Sequence, residues 1–233
     1  MDSSSRPAAQ GWTWIAEAWA LFKRAPGPWI LITIVYVVLF IAMNLVPFIG
    51  ALAAGVLWPV FGGGVMLGCR RLQEGGALEV GSLFAGFRTR FGTLAAVGAI
   101  SLVASLLIVF AVGFATGGIL FAILSGGADA AVIAEAAGTL LLALLLITAL
   151  LLPVTMAIWF AVPLVVFQNK GALEAMGLSF VACLQNVLPF LIYGLILLGF
   201  SILASIPFGL GWLVLGPVFA ASVYTAYRDI FPS

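Results

Sequence analysis

Charge is what this chain has least of. Only 7% of its residues are Asp, Glu, Lys or Arg, against about 25% in an ordinary soluble domain. No charged residue occurs in residues 26–69, 91–128, 136–169 or 175–227. A helix needs about 20 apolar residues to cross a bilayer, so the longer of these windows hold two spans each. With 64% hydrophobic residues and a mean hydropathy of +1.29, the composition excludes an ordinary soluble domain. It predicts a polytopic membrane protein instead.

Histidine is missing altogether. That excludes Ser-His and Cys-His nucleophilic pairs, histidine zinc sites and histidine-ligated haem. The predicted spans also lack acids and bases, which removes the carboxylates of an intramembrane aspartyl protease and the ionisable relays of pumps. The loop acids Glu74, Glu79 and Glu174 form no recognisable motif. The expectation is a protein that is not an enzyme, with no catalytic residue, metal ligand or cofactor. The two cysteines, Cys69 and Cys183, make no disulfide framework, and each reads as a small packing residue near the inner interface. A net charge of +1 gives no clustered basic surface for nucleic acid. The opening Met1-Asp2-Ser3 places an acid where a cleavable signal peptide has its basic region.

Taken in order, residues 1–10 are small and polar and predict a disordered cytoplasmic tail, followed by one membrane domain over 11–233. Trp12, Ile15, Trp19 and Phe22 fall at helical spacing and predict an amphipathic helix in the membrane interface, a layer that suits tryptophan. Pro26 and Pro28 end it. Two spans follow, over about residues 29–45 and 48–69, the second stopping at Arg70-Arg71. Leu83, Phe84, Phe87 and Phe91, interleaved with Arg88 and Arg90, predict a second interfacial helix. Span three covers about 93–115. Asp129 and Glu135 lie on the far side, where residues 130–137 predict a short surface helix capped by Asp129. Span four, about 140–167, carries Pro153 and Pro163 and is expected to kink or tilt. A third amphipathic stretch holds Leu173, Met176, Phe180 and Leu184. Spans five and six cover about 187–206 and 210–227.

The fold class is therefore all-α, with six transmembrane helices and three interfacial ones, and its parts recur. Pro28, Pro47, Pro59 and Arg70 have counterparts in Pro189, Pro207, Pro217 and Arg228, at intervals of 19, 12 and 11 residues against 18, 10 and 11. The middle third keeps the order of parts, with Pro153-Val154 in its second span. The expectation is three copies of an interfacial helix followed by a helical hairpin, over residues 11–72, 82–168 and 171–230. All nine Lys and Arg residues fall on one side of this layout. By the positive-inside rule that side is the cytoplasm, and both termini lie there.

The candidate functional positions follow from this layout. Lys23, Arg24, Arg70, Arg71, Arg88 and Arg90 are primarily topology determinants, and as juxtamembrane cations they also attract anionic headgroups, by about 1 kcal/mol each. Gly62-Gly63-Gly64 lacks the Lys-Ser/Thr ending of a phosphate loop. The pairs Gly64/Gly68 and Gly113/Gly117 instead form GxxxG, where small residues let helices approach closely. The span hydroxyls Thr33, Tyr36, Ser101, Ser105, Thr148, Thr155, Tyr193, Ser201 and Ser205 are expected to bond a nearby carbonyl or a neighbouring helix.

Gly11-Trp12, Trp19, Leu21-Phe22, Trp29, the run from Gly62 through Cys69-Arg70-Arg71, Leu83-Phe84-Ala85-Gly86-Phe87 and Asn186-x-x-Pro189 together give the chain a family likeness. Over nearly its whole length it resembles a family of uncharacterised proteobacterial inner-membrane proteins with six spans. The resemblance implies a bacterial inner membrane and brings no activity or catalytic residues. A fainter likeness to the membrane domain attached to some glycerophosphodiesterases points to lipid proximity, without a hydrolase domain in these residues. The expected role is a structural, assembly or lipid-interacting component, with membrane lipids and a membrane-protein partner. The alternative is a permeation pathway for a neutral or amphipathic solute, which requires a polar-lined cavity at mid-membrane.

Overall fold

The computed structural model describes residues 3–124 and 130–231, except the side chains of residues 118–124 and 130–136. Among the described residues every regular element is helical. The order is α1 (Gln10–Arg24), α2 (Pro26–Asn44), α3 (Ile49–Gln73), a 3₁₀ turn (Val80–Phe84), α4 (Ala85–Thr89), α5 (Phe91–Leu124), α6 (Ala130–Trp159), α7 (Ala161–Gln168), α8 (Ala172–Gln185), α9 (Val187–Ser205) and α10 (Trp212–Ile230). Five stretches are long and apolar enough to cross a membrane: Pro26–Asn44, Ile49–Gln73, Phe91–Gly117, Ala137–Gln168 and Val187–Ser205. The predicted sixth span is helical, as α10, but falls outside this set. Its last turns carry Tyr224, Thr225, Tyr227, Arg228 and Asp229, and these lower its hydropathy.

Two predicted details change. The expected surface helix over 130–137 is continuous with α6, while Asp129 and the side chain of Glu135 lie outside the described residues. The kink expected in span four falls at Phe160, between α6 and α7. Pro163 explains it, because it has no N–H for the Trp159 carbonyl one turn back and its ring crowds that carbonyl. The Phe160 N–H is met instead by Ser179 Oγ on α8, at 2.8 Å. Pro153 is accommodated within α6.

The two outer hairpins, α2–α3 and α9–α10, close alike. Each turns on a Pro-Phe pair with the phenylalanine at positive φ, 61° at Phe48 and 53° at Phe208. In each, a glycine then presses against the end of the incoming helix. A Cβ on Gly50 would overlap the Met43 carbonyl, and one on Gly211 would lie 2.5 Å from Ala204 Cα. Only glycine admits so close a return of the chain.

The short amphipathic elements are exchanged between hairpins. The first of them, α1, lies in the α9–α10 hairpin. There Gly11 abuts the Pro189 carbonyl and Tyr193, and Thr225 Oγ1 donates to the Trp14 carbonyl at 2.8 Å. The 3₁₀ turn and α4 lie on the α2–α3 hairpin, with Gly86 over the Val60 carbonyl. Similarly, α8 lies against α5, α6 and α7, where Ser179 Oγ donates to the Met156 carbonyl at 2.6 Å. Each element is thus held by the hairpin that precedes it in order, and the first by the last.

Candidate functional site at the basic end

The site is built around the C-terminal ends of α3, α7 and α10. The guanidinium of Arg70 lies 5.3 Å from the centre of the Phe167 ring, which packs in turn on Tyr224 and Tyr227 of α10. Gln168 Nε2 donates to Tyr227 Oη at 3.2 Å. Arg24 reaches the Leu72 carbonyl at 3.3 Å, bringing the end of α1 beside that of α3. Arg90 donates to the Asn169 carbonyl at 2.9 Å, which ties α4 to the end of α7. Arg228 covers the Tyr224 ring at 5.8 Å. Three of these residues, Arg24, Arg70 and Arg90, therefore fasten helix ends together, because a guanidinium can donate to a carbonyl and also stack on an aromatic face, while Arg228 stacks within its own helix.

Lys23, Arg71 and Arg88 are different. All three are exposed, and none makes a side-chain hydrogen bond or ion pair among the described residues. On α1, Lys23 shares its exposed face with Trp12 and Trp19. Of the six cations expected at headgroups, Arg24 and Arg90 are committed to carbonyls and Arg70 to Phe167 and to Glu74, 3.7 Å away. Lys23, Arg71 and Arg88 have no side-chain partner among the described residues.

The glycines also divide. A Cβ on Gly64 would lie 2.3 Å from the Leu83 carbonyl oxygen and 2.5 Å from that of Ser82, while one on Gly68 would lie 2.8 Å from a Leu78 methyl. Gly63 meets Leu94 and Val166, and Gly62 meets Val162. The triple glycine is thus a seat for the 3₁₀ turn, α5 and α7 on successive faces of α3. Gly113 and Gly117 have nothing within 4 Å among the described residues.

Residues 1–10, expected to be a disordered tail, are tied down from Ser3 onward. Ser4 N donates to the Ile230 carbonyl at 3.0 Å. Arg6 N donates to Asn186 Oδ1 at 2.8 Å, and Asn186 Nδ2 donates to the Ser4 and Ala182 carbonyls at 3.1 and 2.9 Å. Arg6 pairs with Asp229 at 3.1 Å and donates to the Asp229 carbonyl. The small polar residues that suggested disorder bond here to the end of α8, to Asn186 at the α8–α9 junction and to α10. Sequence reasoning missed Trp14, Ser179, Asn186 and Asp229 as parts of this end. Counting small residues as buried would have found the first, because Gly11, Trp14, Ile15, Ala18, Leu21 and Phe22 form the buried stripe of α1.

Most of the remaining span hydroxyls bond within their own helix or to the next one, while Trp29 Nε1, Ser82 Oγ and Trp159 Nε1 are buried without a hydrogen-bond partner among the described residues. Thr33, Thr148, Thr155 and Ser201 each donate to the carbonyl four residues back, and Ser101 to that of Gly98. Tyr193 and Ser222 share a buried hydrogen bond of 2.6 Å between α9 and α10. On α8, burial pushes the Cys183 thiol up to about 12, and its Sγ lies 3.5 Å from the Met156 carbonyl. The hydrogen bond from Lys170, 2.5 Å long, holds Glu174 below its ordinary carboxylate range. The support this pair gives is complete above the ordinary Glu value and is lost as the pH falls through the lowered one, so it is constant at neutral pH. No group of three or more Cys, Asp or Glu able to hold a metal exists among the described residues.

Among known proteins, the chain is similar to a "Probable inner membrane protein" of Burkholderia thailandensis. The two are 31% identical over 218 residues, covering 89% of this chain and 78% of that protein. No protein-family model matches the chain, and no solved structure matches it significantly.

Proposed function

The chain belongs to the family of that Burkholderia thailandensis protein and is a multi-pass inner-membrane protein, and from this premise we propose that it is a non-enzymatic, lipid-interacting structural component. In this reading α10 is the sixth span, both termini are cytoplasmic, and the basic end contacts anionic headgroups of the inner leaflet. The repeated order of amphipathic element and hairpin, with each element lodged in another hairpin, supports three copies of one unit over 11–72, 82–168 and 171–230.

The observation that carries the proposal is the division among the cations. Lys23, Arg71 and Arg88 are exposed and unpaired among the described residues, while Arg24 and Arg90 are spent on holding the fold. Exposed Trp12 and Trp19 add the amphipathic rings that favour the headgroup layer. A permeation pathway draws less support. Most span hydroxyls bond a carbonyl of their own helix or, as Tyr193 does, the next helix, and Trp159 packs on Phe190, Tyr193 and Phe219 where the helices meet.

Lipid retention tests the proposal. Purified in mild detergent, the protein should carry phosphatidylglycerol or cardiolipin, measured by mass spectrometry. The K23Q/R71Q/R88Q variant should lose it by a factor on the order of 100, since three cations contribute about 3 kcal/mol together. Protein that purifies free of retained anionic lipid, or a variant that retains as much as the parent, overturns it.

A further inference from the structure

The tips of the outer hairpins are the least expected surface in the molecule. One consists of Leu45, Val46, Pro47, Phe48 and Ile49, and the other of Ile206, Pro207, Phe208, Gly209 and Leu210. Neither holds a polar side chain. Phe48 is 86% exposed and Phe208 fully so, and Leu45, Val46, Ile49, Ile206 and Leu210 are exposed around them. In water, burying one such side chain is favoured by about 1.5–3 kcal/mol, so two turns of this composition facing water would be heavily disfavoured.

Two further observations say what covers them. The first is depth. From its start beside Lys23-Arg24, α2 has 19 residues and rises about 28 Å; α9, also of 19 residues, rises the same. The hydrocarbon core is about 30 Å thick, so neither tip clears it by a loop's length. The second is the backbone. The N–H groups of Leu45, Val46, Ile49 and Gly50 are met by the carbonyls of Ile41, Met43, Pro47 and Val46, respectively. Those of Ile206, Phe208, Gly209, Leu210 and Trp212 are met by Leu203, Ile206, Ser205, Pro207 and Gly209. Irregular backbone avoids lipid because its polar groups lack partners there, and these turns supply most of their own. Trp212, exposed and bonded through Nε1 to Ser205 Oγ, adds an indole of the kind that marks the lipid boundary.

We propose that residues 45–49 and 206–210 are seated in the outer leaflet, at the boundary of acyl chains and headgroups, as a matched pair of lipid-contact surfaces. Phe48 and Phe208 are the side chains that enter the acyl region. This placement rests on the multi-pass reading and not on the headgroup contacts at the basic end, so losing those contacts leaves tip depth unchanged.

The test is a nitroxide at F48C and, separately, at F208C in the full chain, reconstituted into vesicles of phosphatidylethanolamine and phosphatidylglycerol. Cys69 and Cys183 are buried, and unsubstituted protein carried through the same labelling gives the background. Collision with oxygen, which partitions into lipid, is compared with collision with a water-soluble nickel chelate. At both sites the oxygen-to-nickel ratio should exceed, several-fold, that of a label at A77C in the exposed cytoplasmic loop. A label that meets nickel as readily as the loop does places the tip in water and overturns the proposal. A label that meets neither reagent shows protein covering the tip, a second copy in this reconstituted system, and overturns it equally.

Discussion

Trp14 Nε1 donates to Asp229 Oδ2 at 2.9 Å, joining the second turn of the first helix to the penultimate residue of the last. The other carboxylate oxygen of Asp229 pairs with Arg6 at 3.1 Å. One side chain thus holds the tail, α1 and α10 in register. Neither partner can leave without stranding a polar group at the junction. Asp229→Ala should lower stability by about 1–3 kcal/mol, the range for losing a charge-assisted hydrogen bond. The measurement is thermal unfolding in detergent, with limited proteolysis of residues 3–9 as a second readout. Unchanged melting and an equally protected tail would show that the clasp carries no stability.

Gly64→Ala and Gly113→Ala place the same methyl group in opposite surroundings. At Gly64 it meets two backbone carbonyls that cannot swing aside, and overpacking of this kind costs about 1–3 kcal/mol. At Gly113 it meets open space among the described residues, where alanine also improves helix propensity. The first variant should melt lower and the second should match or exceed the parent. Equal loss at both positions would mean that Gly113 packs against something outside the described residues.

Tyr193 and Ser222 should respond unequally to truncation. Ser222 Oγ donates to the Phe219 carbonyl at 2.7 Å, so in the pair it accepts from Tyr193. Tyr193→Phe removes one donor and should cost about 1 kcal/mol. Ser222→Ala leaves the Tyr193 hydroxyl buried without its partner and should cost more, up to about 3 kcal/mol. The double variant should fall short of the sum. Comparing the melting of all three closes the cycle, and strict additivity would show that the two hydroxyls do not interact.

Alkylation should report folding at Cys183. Burial raises its thiol from 9.0 to about 12, and because the thiolate is the nucleophile, the folded protein at pH 8 holds on the order of a thousandfold less of it. Iodoacetamide should label folded protein slowly and SDS-denatured protein quickly. Comparable rates would place Cys183 in a solvated site.

The legible parts of this molecule were those fixed by composition and punctuation. Prolines at 26, 47 and 207 mark helix starts and turns, and the long charge-free windows mark the apolar helices. Helix faces were harder, because the spacing of large apolar side chains does not say whether they face lipid or protein. On α8, Leu173 and Leu184 are exposed, whereas Ala175, Ser179, Ala182 and Cys183 are buried with Met176. In a bundle surrounded by lipid, bulky side chains gain nothing by turning inward, and small ones permit close approach. The basic residues were legible as a set but not in their separate duties. What parts Arg24 from Lys23 is the Leu72 carbonyl, a neighbour 48 positions away.

The lodging of α1 in the α9–α10 hairpin sets an order of events during synthesis. The first helix to emerge has its berth in the last two to be made, so more than half the chain must be inserted before Gly11, Trp14 and Ala18 meet their partners. Until then the face of α1 that carries Gly11, Trp14, Ile15, Ala18, Leu21 and Phe22 lacks its cover. The fold is completed by its two ends meeting, and a chain that stops short of α9 leaves its own beginning unhoused.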